Sequence, residues 1–199
     1  MSSIEISTRE KILQATLDLL QHEPGVAVRM ADIARRAGVS RQALYLHFAT
    51  RTDLLIATTF HLDALNNSEA RLKFSRQATT GLEQLDAFIT AWAGHLPEIS
   101  AVARALLALR AIDDAAAAAW DQRMQDMREG CAAAVEAMHR DGDLTPELSP
   151  ERAADILWTL LSFQTWDQLT QTCGWTQTAY LKTMKEMARR VLMRRDGTP

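Results

Sequence analysis

Four side chains able to hydrogen-bond a nucleic acid stand close together in one short segment, "RQALYLH". Arg41 matches the O6 and N7 atoms of guanine through two hydrogen bonds, and Gln42 matches N6 and N7 of adenine in the same way. The hydroxyl of Tyr45 and the ring nitrogens of His47 suit phosphate oxygens. The types and spacing of these residues therefore predict contact with duplex DNA.

A scaffold for these side chains is predicted by residues 30–48, which have the pattern of a helix, a turn and a second helix. Gly38 is expected in the left-handed conformation that ends the first helix, and Ser40 is expected to cap the second. Leu44 and Phe48 lie four residues apart and are expected to pack inward. The outer face then carries the residues that enter the major groove in helix-turn-helix proteins. For any single residue, an ordinary solvated face is the alternative.

The charge distribution favours a local DNA-binding surface over a globally basic protein. The 199 residues carry a formal net charge of −3, which argues against coating nucleic acid by bulk charge. Between Arg29 and Arg51, however, there are five arginines and one acidic residue, Asp32. This segment is predicted to form a basic patch on an otherwise acidic molecule.

Other functional classes lack their characteristic motifs in this sequence. It has no G-x-S-x-G, phosphate-binding glycine loop, HExxH or CxxC, so we expect no enzyme, no cofactor and no metal site. Cys131 and Cys173 form no disulfide framework, the N-terminus has no secretory signal, and no segment is apolar enough to span a membrane. We expect a soluble cytoplasmic protein. Cys131 is interpreted either as a redox switch or as apolar filler.

Apolar periodicity and capping signals predict an all-α chain of about nine helices. The first begins at "STRE" (7–10), a capping box, and ends at Pro24-Gly25. Two short helices flank Gly38, and Ser149 and Pro150 mark a later helix start. The helices predicted beyond the turn cover about residues 51–74, 79–96, 97–110, 113–140, 150–172 and 177–195.

The segment "IARRAGVSRQALYLHFATRTDLL" (33–55) resembles the signature of the tetracycline-repressor (TetR/AcrR) family of bacterial transcriptional regulators. The family pattern is approximately I-A-x-x-A-G-V-S-x-x-x-L-Y-x-H-F-x-x-K-x-x-L. The residues that match it are Ile33, Ala34, Ala37, Gly38, Val39, Ser40, Leu44, Tyr45, His47, Phe48 and Leu54. The specific match covers about the first quarter of the chain, and the remainder agrees with the family in length and number of helices.

The resemblance implies a homodimer with a three-helix DNA-binding domain, residues 1–53, and a ligand-sensing and dimerisation domain, residues 54–199. Such a protein is a regulator, usually a repressor and sometimes an activator, that a small molecule releases from a palindromic operator. In the family, the ligand tilts the fourth helix and separates the paired recognition helices. A helical adaptor that binds only protein is the alternative function.

The resemblance also gives roles to individual residues. Arg41 and Gln42 would reach bases, Ala43 would meet a thymine methyl group, and Tyr45 and His47 would contact phosphates.

Three further positions complete this DNA-binding set. Ser40 caps the recognition helix, and Arg51 stands where the family often has a lysine that holds a phosphate. Arg29 departs from the family, which commonly has a capping threonine at the start of the second helix. We expect that cap to be absent and Arg29 to make a longer phosphate contact.

The candidate ligand-pocket residues are mainly aromatic and methionine side chains, which suit a small apolar or aromatic ligand. Plain core packing is the alternative for each of them, and a buried, hydrogen-bonded histidine is the alternative for His61. The set is His61, Phe88, Trp92, Trp120, Met124, Met127, Trp158, Phe163 and Trp166. The last two helices are predicted to form the homodimer interface, because the first of them is apolar nearly all round and needs cover on several sides.

Overall fold

The computed structural model describes residues 6–22, 28–75 and 77–194. Helices dominate these ranges, and an antiparallel bridge pairs Leu144 with Met193. None of the described helices is both long and apolar enough to cross a membrane. The all-α prediction is confirmed. The helices are α1 (Thr8–His22), α2 (Met30–Ala37), α3 (Arg41–His47), α4 (Arg51–Leu65), α5 (Ser68–Ser75), α6 (Gly81–Leu109), α7 (Asp114–Asp141), α8 (Pro150–Leu160), α9 (Phe163–Asp167), a π-helical turn (Gln168–Thr172) and α10 (Gln177–Leu192).

The chain divides into two compact units. The first unit comprises residues 1–66 and 99–122, and the second comprises residues 67–98 and 123–199. Helices α6 and α7 therefore contribute residues to both units. The functional boundary predicted after residue 53 stays a prediction.

In the first unit, α1 begins at the predicted capping box. The backbone N–H of Ser7 donates to Glu10 Oε2 at 2.9 Å, and the N–H of Glu10 donates to Ser7 Oγ at 3.2 Å. The predicted end of this helix at Pro24-Gly25 lies outside the described residues. An apolar core joins α1 to the next three helices, and its most deeply buried members are Ile12, Leu13, Ile33, Leu44, Leu54 and Leu55.

The prediction of one helix over 51–74 is wrong, because the structure divides this segment into α4 and α5. Asn67 adopts a left-handed conformation with φ of 49°, and asparagine is one of the few residues with a side chain that tolerate this conformation. Leu65, the last residue of α4, is 54% exposed. The apolar repeat continues past the break, so periodicity alone does not reveal it.

In the second unit, the predicted helix boundary at Pro97 is also wrong, because α6 continues through this residue. Proline has no N–H to donate to the carbonyl four residues earlier, which is that of Ala93. The Nε2 of Gln177 donates to this carbonyl at 2.6 Å. A side chain from α10 thus supplies the hydrogen bond that the proline cannot make, and the helix is not broken.

The helix predicted over 150–172 is divided as well. Ser149 and Pro150 begin α8 as predicted, with Ser149 Oγ accepting from the N–H of Arg152 at 3.4 Å. The helix ends at Leu160, and Ser162 caps α9 by accepting from the N–H of Thr165 at 3.1 Å. The predicted apolar segment is therefore two helices and a π-helical turn. The predicted break at Cys173-Gly174 is confirmed, since Gly174 has φ of 71°.

Candidate nucleic-acid interface

The turn between α2 and α3 has the predicted geometry. Gly38 lies in the left-handed region with φ of 68° and ψ of 30°, and the N–H of Val39 closes the end of α2 by donating to Ala34 O at 3.0 Å. The Oγ of Ser40 then accepts from the N–H of Ala43 at 3.0 Å and begins α3. Because α3 has only seven residues, these two end structures set its direction.

Burial separates the two faces of α3 as the sequence predicts. Leu44 is fully buried, and Phe48 and Ile33 are each less than 5% exposed. On the other side, the predicted DNA-contacting side chains are exposed: Arg41, Gln42, Tyr45 and His47.

Two positions on α3 add to the sequence-based description. The methyl group of Ala43 is only half exposed. Leu46, which sequence reasoning missed, is 81% exposed. Its signal in the sequence was its place four residues after Gln42, on the same side of a helix whose buried residue is Leu44.

The start of α4 is held from two directions. Thr50 and Asp53 form a capping box, with Thr50 Oγ1 accepting from the N–H of Asp53 at 3.0 Å and Asp53 Oδ2 accepting from the N–H of Thr50 at 3.0 Å. Thr52 is 4% exposed, and its hydroxyl donates to Asp113 Oδ2 at 2.5 Å. The other oxygen of Asp113 accepts from the N–H of Ala116 at 3.0 Å, at the start of α7. Arg51 is the first residue of the helix positioned in this way.

The five arginines of the basic patch fall into two groups. Arg35 pairs with Asp32 at 2.6 Å, and Arg36 pairs with Asp18 at 3.0 Å. The other three are those assigned to DNA by the resemblance, and none of them makes an ion pair within the ranges that the structure describes: Arg29, Arg41 and Arg51. The intramolecular acids therefore neutralise the arginines that are not assigned to DNA.

The three unpaired arginines share a place in the fold. Arg29 is the N-cap residue of α2, Arg41 begins α3 and Arg51 begins α4. A helix N-terminus carries positive partial charge, so a cation there is unfavourable within the folded chain and an external anion is favourable. Arg29 makes no side-chain capping hydrogen bond to the described part of α2. Arginine at these three helix starts is unfavourable for helix stability and favourable for binding a polyanion.

The candidate ligand-pocket residues of the second unit are mostly buried. Phe88, Trp92, Met127, Phe163 and Trp166 are each at most 9% exposed, whereas Met124 and Trp158 are half-buried.

Several of these residues have partners within the same unit. The indole Nε1 of Trp92 donates to Leu161 O at 2.8 Å, and that of Trp166 donates to Gln177 Oε1 at 2.9 Å. A Cβ on Gly130 would lie 2.6 Å from the Phe88 ring, so that ring fills the space that the glycine leaves. Such contacts are those of a packed core, so a ligand would have to displace or rearrange them.

The remaining two pocket candidates lie in the first unit. Trp120 is 6% exposed. His61 is half-buried and lines an open groove of about 450 Å³ with Arg9, Asp53 and Phe60 among its other walls.

Cys131 has the environment of an inert thiol. Its side chain is fully buried, and burial raises the pKa of the thiol to about 12. The reactive form of cysteine is the thiolate, which this environment disfavours. The interpretation of Cys131 as apolar filler is the one that its burial supports.

Comparison with known proteins shows which family the N-terminal helices resemble. Residues 12–58 match the model "Bacterial regulatory proteins, tetR family". The nucleoid occlusion factor SlmA of Marinobacter nauticus is 31% identical over 104 residues, or 51% of this chain and 53% of that protein. SlmA of a Marinomonas species is 37% identical over 54 residues, 27% of either chain. The chain thus aligns with about half of the first relative and less of the second.

Solved structures share the fold over nearly the whole chain. A transcriptional regulator of Saccharomonospora viridis in complex with choline has a TM-score of 0.80 at 16% identity, covering 94% of this chain and 98% of that one. The fatty acid degradation regulator FadR of Bacillus halodurans has a TM-score of 0.73 at 16% identity, covering 95% and 96%. The chain therefore resembles the tetR family of bacterial regulatory proteins over residues 12–58, and it shares the fold of these solved structures over nearly its whole length.

Proposed function

We propose that this protein is a sequence-specific DNA-binding transcriptional regulator that inserts α3 into the major groove. The observation that carries the proposal is the set of three arginines at the starts of α2, α3 and α4, none of which pairs with an acid in the described chain. Each arginine lies at the positive end of its own helix dipole, which is unfavourable for a cation. Helix stability therefore does not explain why arginine occupies these three positions. A DNA duplex beside these helix starts accounts for all three, with phosphates binding Arg29 and Arg51 and a base binding Arg41.

Base reading in this proposal falls to the exposed first turn of α3. Arg41 forms two hydrogen bonds with guanine and Gln42 with adenine, and each pair contributes about 1–3 kcal/mol of discrimination. Tyr45, His47, Arg29 and Arg51 bind phosphates and fix the register without reading sequence. The hydroxyl hydrogen of Ser40 is free to donate to a phosphate while its oxygen caps α3.

The active form in this proposal is a homodimer that binds a palindromic operator. The segment 150–172 is divided in the structure, so it is not the single all-round apolar helix from which the sequence predicts an interface. What supports an interface on the last helices is α10, where Met187 and Val191 are 40% and 42% exposed and lie four residues apart. Exchange of both for lysine is expected to yield monomers in analytical ultracentrifugation.

A small-molecule effector completes the proposed function. The structurally similar regulator of Saccharomonospora viridis holds choline, which supports the idea that this fold accommodates a small ligand. In this chain the aromatic and methionine residues of the second unit suit a small apolar or aromatic compound. We propose that such a ligand weakens DNA binding, so that the protein acts as a repressor.

The first experiment is a selection of the purified protein on random duplex DNA, with the enriched sites read by sequencing. The proposal requires an enriched palindrome with half-sites about one helical turn or more apart. A dimer that neutralises about eight phosphates should show a log–log salt slope of roughly −7. A folded dimer that enriches no sequence and shows no salt-dependent affinity for duplex DNA would instead support the adaptor function.

Two further measurements test the finer parts of the proposal. Compounds that lower the affinity for the selected operator identify the effector class. A reporter gene placed behind that operator distinguishes repression from activation, since expression rises on deletion of a repressor and falls on deletion of an activator.

A further inference from the structure

The outward direction of α3 can be defined from its one fully buried residue. With 100° between successive residues, the direction opposite Leu44 falls midway between Gln42 and Leu46, about 20° from each. Arg41 and Tyr45 point further from this outward direction, both on the side of Gln42. These two residues, Gln42 and Leu46, therefore point most directly away from the protein.

Leu46 lies at the centre of the surface that the proposed function places against DNA. Its side chain is 81% exposed, and an aliphatic group gains nothing from water. It also forms no hydrogen bond with phosphate, which sets it apart from the exposed arginine, glutamine, tyrosine and histidine of the same helix. At the centre of a surface proposed to bind DNA, such a side chain can contribute to binding through contact with an apolar group on the DNA.

The major groove offers one such group. Thymine carries a C5-methyl group on its major-groove edge, and cytosine at the same place has none. Apolar side chains that contact this methyl group distinguish the two pyrimidines.

We propose that Leu46 contacts the C5-methyl group of a thymine and is a specificity-determining residue of the DNA-binding surface. The inference rests on the proposed function and adds a base preference to it. Leu46 lies about 6 Å along the helix axis from Gln42, whereas successive base pairs are about 3.4 Å apart. The thymine therefore lies no more than about two base pairs from the base that Gln42 reads. Ala43, the residue that the family resemblance assigns to a thymine methyl, is half-buried, whereas Leu46 is 81% exposed.

The test uses duplexes that differ by single methyl groups. Each thymine of the selected operator is replaced by deoxyuridine, one symmetric pair at a time, and affinity is measured for wild type, Leu46→Ala and Ile112→Ala. Ile112 is a matched control, because it is also 81% exposed and lies outside α3, in the α6–α7 connection. Unfolding midpoints of the three proteins establish that all are equally folded.

The expected result is one symmetric thymine pair at which deoxyuridine weakens wild-type binding. Loss of one buried methyl group corresponds to about fourfold in affinity for each half-site. The Ile112→Ala protein should show the same loss, and the Leu46→Ala protein should bind thymine and deoxyuridine operators equally at that pair.

Two outcomes would overturn the inference while leaving the proposed function in place. In one, the operator is bound tightly but no thymine is sensitive to removal of its methyl group. In the other, the sensitivity persists unchanged in Leu46→Ala, so that a different residue reads the methyl group. If the selection enriches no operator, the proposed function itself fails, and the role of Leu46 fails with it.

Discussion

The outer face of α3 and two tryptophans of the second unit, Trp92 and Trp166, differ in what their polar groups already bind. On α3, Arg41, Gln42 and Tyr45 extend into solvent from a helix that is held by a cap and a buried leucine. In the second unit, the indole N–H groups of Trp92 and Trp166 are both bound to other parts of that unit. Because they are exposed, the side chains on α3 are available to an external partner.

This difference makes the outer face of α3 a better candidate binding site than the tryptophans of the second unit. A polar side chain with no intramolecular partner gains hydrogen bonds when a ligand arrives. A tryptophan that is already packed and hydrogen-bonded loses those contacts if a ligand enters. We therefore expect substitutions on the outer face of α3 to change DNA binding without changing stability. Substitutions of the aromatic residues in the second unit should change stability without changing DNA binding.

The largest expected effect is that of Trp92→Ala. Removing this buried ring should lower the free energy of unfolding by about 3–5 kcal/mol, because it leaves a cavity and an unpaired carbonyl at Leu161. Chemical denaturation monitored by circular dichroism measures the change. A Trp92→Ala variant of unchanged stability that loses only its response to a ligand would contradict this prediction and favour a pocket role for Trp92.

Gln177→Ala should have the next largest effect. Its side chain accepts from the indole N–H of Trp166 and donates to the carbonyl of Ala93, which Pro97 leaves without a backbone donor. Each group left buried and unpaired costs about 1–3 kcal/mol. In the Gln177→Ala, Pro97→Ala double variant, a backbone N–H is restored at position 97, so part of the loss should be recovered. Purely additive effects would show that the two residues are not coupled.

Arg41→Ala should weaken DNA binding by about 1–3 kcal/mol and relax the base preference at one symmetric pair of operator positions. Its free energy of unfolding should stay within about 0.5 kcal/mol of wild type, since the residue is exposed. Tyr45→Phe is the matched contrast, because loss of a phosphate contact weakens binding to all sequences alike. Unchanged affinity and preference in Arg41→Ala would place the recognition face elsewhere.

Ser40→Ala should cost about 1 kcal/mol of stability through loss of the α3 cap. DNA affinity should also fall, because the helix that presents the base-reading residues is less well ordered. Ser40→Asp keeps a capping oxygen and should restore stability, but it places an anion beside the DNA and should not restore binding. Thermal denaturation and operator titration separate the two effects.

The smallest predicted effect is a pH dependence at Asp113. The hydrogen bond donated by Thr52, and then that donated by the N–H of Ala116, lower the pKa of this carboxyl below its usual value of 3.8. A lowered pKa in the folded state stabilises the protein above the unfolded value, and this contribution is lost as pH falls through the folded value. Relative to Asp113→Asn, wild type should therefore lose a stability advantage below about pH 4. A stability difference that does not vary with pH would contradict this assignment.

Local features of the sequence predict local features of the structure. The caps at Ser7, Ser40 and Ser149 and the left-handed Gly38 are found where expected, because each depends on residues within four positions. The inward packing of Leu44 follows from the same short-range geometry. The exposed face of α3 was therefore predictable, including the position of Leu46 once the buried side is known.

The features that the sequence did not predict depend on distant residues. The continuity of α6 through Pro97 requires a donor from Gln177, which is 80 residues away in the chain. The break after Leu160 is stabilised by the N–H of Trp92, which binds the carbonyl of Leu161. The hydrogen bond between Thr52 and Asp113 likewise joins segments that no periodicity connects. Which aromatic residues are core and which line a pocket depends on such contacts, so sequence pattern left the question open.

The way α3 is anchored has a consequence for how new binding specificities arise. The helix depends on its cap at Ser40, on the capping box that begins the next helix, and on one buried leucine. Its outward-facing side chains are exposed, so substitutions there are expected to change stability little. A duplicated copy of the gene could thus acquire a new operator through one or two substitutions on this helix, while the rest of the protein continues to fold as before.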